Sequence, residues 1–554
     1  MNRGLASPRH SRRALVVLLA AAAGAANAQT SAPAPAPAPV PAPAPPRPAP
    51  PMATAAPLAV FAIRGFRVEG DNPLGDAETQ GVLRPYVRPD ATLETLQQAT
   101  AALEKMLRDQ GFGLHRVALP PQELGTTVRL SIVKFTVGKV GIEGATIYDD
   151  KNVRLTVPEL REGESPNFKT LAIQTAIANE NGNKLIQVGL RESEEPDQID
   201  ATISVKEQKP WNIGLSANNS GTDSTGEDRV TLTGSHSNLW NLDHLFVGAY
   251  TTSVERTEDV KQLGLSYKIP LYAQGGVLGF SYTRSDVVGN FGTFSSTGAG
   301  HTFGVHYTIY LAPQGGHRSY VTLGLDDKVF DASRINDVVL VGASDRRSRP
   351  VIAAYAARTE TDTAVWGYGA ELAVNTGTGA NNDLASYRSE DPRIRSERWW
   401  AVRGNASYTA PFAQTWAWSV RALGQYSPDV LISGEQFGLG GLTSVRGTDV
   451  ERPISGDMGV SATFEVTSPE VVRGLRFIGF VDAGLIGNND PNASKPNTDR
   501  LASVGLGLRY VVGKFAATVD YGRIVLGSHV PRTLNTSAPK QGDDRLYVGV
   551  AVRF

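Results

Sequence analysis

Gln262-Leu263-Gly264-Leu265-Ser266-Tyr267-Lys268-Ile269-Pro270-Leu271 reads as one strand with two unlike faces. Side chains alternate along an extended chain, so Leu263, Leu265, Tyr267, Ile269 and Leu271 share one side. Gln262, Gly264, Ser266 and Lys268 share the other. Leu278, Phe280 and Tyr282 repeat the pattern against Gly279, Ser281 and Thr283, as do Val504, Leu506, Leu508 and Tyr510 against Ser503, Gly505, Gly507 and Arg509. At the end of the sequence, Leu546, Val548, Val550, Val552 and Phe554 face away from Tyr547, Gly549, Ala551 and Arg553. In a water-soluble sandwich the apolar face would point into a core. Here the polar face is rich in Gly, Ser, Thr and charge, and the other is aliphatic with aromatics toward the strand ends. That arrangement predicts a barrel with lipid outside and water inside, closed so that no backbone group is left unpaired.

Segments of this kind run from Pro210 to Phe554. About 16 fit, at roughly 21–22 residues apiece with their connections, which suits tilted strands of about ten residues plus turns. An even number brings both ends of an antiparallel barrel to the same side. A barrel this wide cannot fill its lumen with wall side chains, so it is a pore that has to be plugged or gated.

Composition narrows the chemistry. Among 554 residues, 54 Lys and Arg stand against 55 Asp and Glu, so the basic excess expected of a nucleic-acid partner is missing. There is no cysteine, which removes disulfides, thiolate nucleophiles, Cys-ligated zinc and iron–sulfur clusters. No apolar run is long enough for a membrane-spanning helix in the mature chain, a fact that says nothing against spanning strands. His301 and His306 lie on opposite faces of one strand, so no metal site is expected. Gly-x-Ser-x-Gly, His-Glu-x-x-His and phosphate-loop sequences are absent, and neither catalytic residues nor a cofactor are expected.

The chain opens on a segment that reads as a secretory leader, residues 1–28. Arg3, Arg9, Arg12 and Arg13 precede the apolar run Ala14 to Ala23, and Ala26-Asn27-Ala28 supplies a small-x-small cleavage site before Gln29. Ser11-Arg12-Arg13 faintly resembles a twin-arginine signal, but nothing downstream suggests a cofactor loaded in the cytoplasm, so the ordinary secretory route is expected. Residues 29–57 follow as a linker. From Ser31 to Pro57 it is nearly all Pro and Ala, which forbids helix and predicts an extended polyproline spacer.

Two small αβ units fill the space before the barrel. In residues 58–136, Phe61 to Val68 reads as a strand. Thr92 then opens a helix carrying Leu96, Ala99, Leu103 and Leu107 on one face, with Gly111 past its end. Strands follow at Gly113 to Leu119 and Thr127 to Phe135. In residues 137–208 the order repeats: strand Val137 to Ile142, helix Lys169 to Ala178, strand Lys184 to Leu190, and a last strand marked by Ile199, Ala201, Ile203 and Val205. Each is read as strand–helix–strand–strand. Neither carries a histidine cluster, a phosphate loop or paired acids, so both read as binding modules.

Four stretches go beyond pattern. They are Pro120-Pro121-Gln122-Glu123-Leu124 with Val140-Gly141-Ile142-Glu143-Gly144; Val205-Lys206-Glu207-Gln208-Lys209-Pro210-Trp211 running into Asn219-Ser220-Gly221; Gly434-Glu435-Gln436-Phe437-Gly438-Leu439-Gly440-Gly441 continuing to Val445-Arg446-Gly447-Thr448; and Phe480-Val481-Asp482-Ala483-Gly484. In this order they resemble the transporter component of two-partner secretion systems, the haemolysin and filamentous-haemagglutinin exporters, within the Omp85 superfamily. The resemblance covers essentially the whole chain after the Pro-Ala segment.

That resemblance implies two periplasmic POTRA domains at 58–136 and 137–208, then an outer-membrane β-barrel of about 16 strands over 209–554. It implies a loop at about 430–457 folded back into the lumen. Val445, Arg446 and Gly447 would form the loop's tip. Phe480, Asp482 and Gly484 would share the inner wall, and Glu465, inward if Val460, Ala462, Phe464 and Val466 face lipid, is a second partner for Arg446. A guanidinium suits this anchoring role because its planar fork holds a carboxylate at two points. Thr448 stands where the family usually has an aromatic, and the Pro-Ala segment cannot supply the family's N-terminal plug helix. Either no plug exists, or Ala53 to Ala62 supplies a short one, or the extended segment enters the lumen.

The resemblance further implies that an unfolded exoprotein partner in the periplasm meets substrate-binding surfaces within residues 58–208 and threads the barrel as the Arg446 loop shifts. Other partners implied are outer-membrane lipid and the barrel assembly machinery, which recognises a terminal aromatic such as Phe554. The site of action would be the outer membrane of a Gram-negative bacterium. The alternatives are an assembly factor of the same superfamily that inserts barrels and, less favoured, a barrel enzyme or a diffusion porin.

Overall fold

The computed structural model describes residues 60–554 apart from positions 124, 333, 336, 337, 340 and 414. The leader at 1–28 and the linker at 29–57 lie outside the described residues, as does Leu124. So does the plug segment Ala53 to Ala62, save its last three residues, of which Phe61 forms a β-bridge to Ala91.

The first module consists of β1 (Gly65–Gly70), α1 (Asp76–Leu83), α2 (Leu93–Asp109), β2 (His115–Ala118) and β3 (Thr127–Lys134). β3 lies between parallel β1 and antiparallel β2. α2 begins at a reciprocal cap, in which Thr92 and Thr95 each accept the other's backbone N–H. It buries Leu96, Ala99, Leu103 and Leu107 against Val128 and Leu130. The helix ends with Gly111 at φ +98° while Gly111 N–H donates to Arg108 and Phe112 N–H to Leu107, a Schellman closure. Gln122 acts locally. Its side-chain amide both donates to and accepts from the Arg129 backbone, standing in for a strand where β2 has ended.

The second module repeats the plan with β4 (Thr136–Glu143), α3 (Asp150–Thr156), α4 (Phe168–Ala178), β5 (Lys184–Glu192) and β6 (Gln198–Glu207), in sheet order β4-β6-β5. The strand–helix–strand–strand reading is corrected here: each unit has two helices. α1 buries only Thr79 and Leu83, and α3 is a seven-residue helix, so neither displays the apolar period that marked α2.

β6 also closes its own module. The Glu207 carboxylate accepts the backbone N–H groups of Thr146 and Ile147, both at 2.6 Å, and that of Tyr148 at 3.1 Å. Burial alone would raise its pKa, but these bonds and that from the Thr146 hydroxyl outweigh it and hold the carboxyl below its ordinary 4.5.

From Trp211 onward sixteen antiparallel strands close into a barrel, the first (Trp211–Asn218) pairing with the last (Asp544–Arg553). The eighth is interrupted at Arg349, with Arg346–Ser348 and Pro350–Glu360 both paired to His317–Phe330. Alternation falls as the lipid-out, water-in reading requires. In the thirteenth strand (Leu475–Gly487), Phe477, Val481 and Leu485 are exposed outward while Phe480 and Asp482 are buried within.

The second module and the barrel share a core. Tyr272 and Tyr310, at the barrel's periplasmic turns, belong to the apolar cluster of Tyr148, Ile177 and Ile186. Beside them Lys184, fully buried, is 2.5 Å from Asp243, which also accepts from Tyr272 at 2.7 Å and Asn152 at 3.0 Å.

Glu207 generates a pH prediction. A carboxyl whose folded pKa is depressed contributes stability that is present above its unfolded pKa and is lost as pH falls through the folded value. Protease resistance of the second module in the full chain should therefore decline on acidification below about pH 4.5, and E207Q should be less resistant at neutral pH and lose this acid dependence. An E207Q chain with the parent's acid profile would assign the transition to other groups.

Candidate functional site: a loop latched inside the barrel

Residues 427–457 join the eleventh strand (Trp416–Tyr426) to the twelfth (Met458–Thr467) and turn inward. Phe437–Leu439 and Ile454–Gly456 pair antiparallel as the stem. Leu439, Val445 and Ile454 pack on Ile486, Leu501 and Ile524 of the inner wall, which gives the loop an apolar footing in a polar lumen.

The tip meets the wall through Arg446. Its Nε donates to Asp482 Oδ2 at 2.8 Å and a terminal nitrogen to Asp482 Oδ1 at 2.9 Å, the two-point grip that a planar guanidinium permits. The other terminal nitrogen donates to Glu465 Oε1 at 2.8 Å, and the Arg446 backbone N–H donates to Asp482 at 3.1 Å. The guanidinium carbon lies 3.4 Å from the centre of the Phe480 ring. Arg446 is 3% exposed and Asp482 0%, so this pair is desolvated and unlike the surface ion pairs that contribute little.

Close backbone approach makes the contact possible. Gly447 has φ +107°, and a Cβ there would meet the Gly522 carbonyl oxygen at 2.9 Å; one on Gly522 would meet the Arg446 carbonyl carbon at the same distance. Gly484 faces inward as well, under Leu439, where a Cβ would stand 2.5 Å from the leucine side chain. The structure thus brings Val445, Arg446, Gly447, Glu465, Phe480, Asp482 and Gly484 into one neighbourhood.

Several participants were not placed in the site by the sequence. Asp520 lies 3.9 Å from Arg446 and is paired with Arg509 at 2.8 Å. Tyr547 of the last strand accepts from Gly447 N–H and donates to the Thr448 carbonyl. Thr448 itself is buried; its hydroxyl accepts from Gly441 N–H and donates to the Val450 carbonyl, stitching the tip to itself. At the loop's base Glu435 is buried among Ser348, Lys328 and Arg403, with Arg403 at 2.7 Å. Glu435 belongs to the Gly-rich motif, but nothing in that motif pointed to its partners. Among the described residues no cluster of His, Asp and Glu is placed to hold a metal ion.

Residues 197–510 match the family described as haemolysin secretion/activation protein ShlB/FhaC/HecB, and residues 61–134 match the ShlB-type POTRA domain. The chain belongs to the haemolysin secretion/activation family. It is an outer-membrane transporter of that family, with its POTRA domains in the periplasm. Among its relatives is the outer membrane transporter CdiB of Escherichia coli, 24% identical over 474 residues, covering 82% of this chain and 78% of the relative. CdiB of Dickeya dadantii is 23% identical over 450 residues, covering 78% of each. Of solved structures, CdiB from Escherichia coli superposes with a TM-score of 0.72 at 20% identity over 90% of this chain and 91% of that one. CdiB from Acinetobacter baumannii gives 0.69 at 17% identity over 91% of each. These two likenesses concern the fold.

The latch geometry predicts that charge alone is not enough. R446K keeps a cation but cannot hold Asp482 at two points and reach Glu465, so it should loosen the tip nearly as much as R446A, by about 3–5 kcal/mol for a broken buried pair. Hydrogen exchange over residues 442–450 in the intact barrel is the measurement. Protection of R446K equal to the parent would mean that a point charge suffices.

Proposed function

We propose that this transporter exports an unfolded partner exoprotein through its barrel, with residues 58–136 and 137–208 as receptor modules and Arg446 as the anchor of a lumenal loop. The observation that carries the reading is a lumen already crossed by its own loop and clamped there by a buried ion pair. The modules at 58–208, for which a passage built for free diffusion has no use, favour export over that alternative.

The receptor role rests on sheet edges. β1 and β2 border the first sheet and β4 and β5 the second, and an extended chain can add to such an edge through main-chain hydrogen bonds. No nucleotide motif occurs in the chain, so the drive is assigned to folding outside the cell, which removes the emerging polypeptide from the exchange.

The test compares culture supernatant and outer membrane of the native host with and without the gene. Loss of one large protein from the supernatant, with the membrane profile unchanged, is expected; a broad fall in outer-membrane barrels would make the chain an assembly factor instead. In the complemented strain R446A should insert normally and secrete less. Deletion of 58–208 should leave an inserted pore without export, and continued export by that truncated chain would remove the receptor role.

A further inference from the structure

A second loop also enters the lumen. Residues 286–299, between the fifth strand (Gly276–Ser285) and the sixth (Gly300–Tyr310), form a small hairpin in which Gly289–Phe291 pairs with Phe294–Ser296. Phe294 rests on the inner face of Gly264, where a Cβ would stand 2.3 Å from the ring. Phe291 is buried, its ring stacked 5.9 Å from that of Phe294.

This hairpin divides the remaining space. A lower cavity of about 670 Å³, bordered by Ser266, Lys268, Thr308 and Thr322, begins at the periplasmic Tyr272 and Tyr310. An upper cavity of about 530 Å³ is bordered by Lys328, Arg403 and the base of the long loop. Ser281, Thr293 and Phe294 border both. The hairpin tip is the partition between them.

The two inward loops are held very differently. The long loop is clamped at its tip by Arg446 and at its base by Glu435, both through buried ion pairs. Among the described residues, none in 286–299 forms an ion pair. Its bonds to the long loop are Asn290 to Thr443 at 3.3 Å, Thr297 to the Gly434 carbonyl at 2.9 Å and Arg452 to the Thr297 carbonyl at 3.2 Å. Breaking a buried ion pair strands a charge, whereas two of these three bonds join neutral groups that exchange for water at small net cost, and Arg452 on leaving Thr297 keeps the carbonyls of Ser433 and Gln436.

We propose that the exported chain passes through these two cavities, beside the fourth to seventh strands, and that the 289–296 hairpin moves aside while the Arg446 loop stays latched. The lining is hydroxyl-rich, with Lys268 and Lys328 at different depths, which suits the backbone of an extended polypeptide of mixed sequence better than one side-chain type. Phe291 and Phe294 lose their seats when the hairpin withdraws, and apolar side chains of the passing polypeptide can occupy them in turn. The proposal rests on the export reading and departs from the expectation that the Arg446 loop itself shifts.

The natural chain has no cysteine, so an introduced pair is unambiguous. N290C/T443C fastens the hairpin to the latched loop. Full-length protein in planar lipid bilayers, with potassium chloride as the probe, should lose its large open events when this pair is oxidised and regain them on reduction. Replacing 289–296 by a short Gly-Ser linker should enlarge the resting conductance. Equal currents from the oxidised and reduced pair, with the disulfide verified by mass spectrometry, overturn the proposal, as does a linker variant that conducts like the parent. Because the probe is a salt, failure here leaves the export reading to the secretion test.

Discussion

Lipid offers no hydrogen bonds, and most of this architecture follows from that. Every N–H and C=O of a spanning strand must find its partner in a neighbouring strand, so the sheet has to close on itself. Sixteen strands make the closed ring too wide for wall side chains to meet across it. The protein fills the gap with its own loops, and these need footing on a polar wall. The latch answers that need with Arg446 and Asp482, which stabilise one another only because the surrounding loop excludes water from both.

The barrel was legible from residues such as Leu263 to Leu271 because lipid and water impose opposite preferences on alternate positions, and no tertiary contact can override them. α2 was legible for a similar reason: its cap, apolar stripe and terminal glycine all point to the same helix. α1 escaped because a helix that buries two side chains has no stripe to read. In the site, Arg446 and Asp482 could be joined only through resemblance; strand phase turned Asp482 inward but could not say what it would meet. Tyr547 shows the limit best. Its inward phase was plain, yet its bond to Gly447 depends on how far the loop descends and how the ring closes, properties of the whole barrel.

Glycine on the inner wall has a related logic. In a soluble sheet an interior glycine weakens a strand. Here Gly484 and Gly522 are paired on both sides and lose little, while their missing side chains give Leu439 and the Arg446 backbone somewhere to lie. The wall is contoured by omission, and the contour matches one loop path. Thr448 fits the same economy, bonding within the tip where a larger ring would have to find space of its own.

The core shared by the second module and the barrel reaches beyond docking. Ile186 and Tyr148 cannot come apart from Tyr272 and Tyr310 without uncovering apolar surface on both sides, and Lys184 cannot leave Asp243 without stranding a charge. Local opening of such a body is cooperative, so this module borrows the slow unfolding of the membrane-embedded ring. Pulled on by a chain in transit, it should yield last, leaving the first module and its sheet edges as the compliant end of the periplasmic arm.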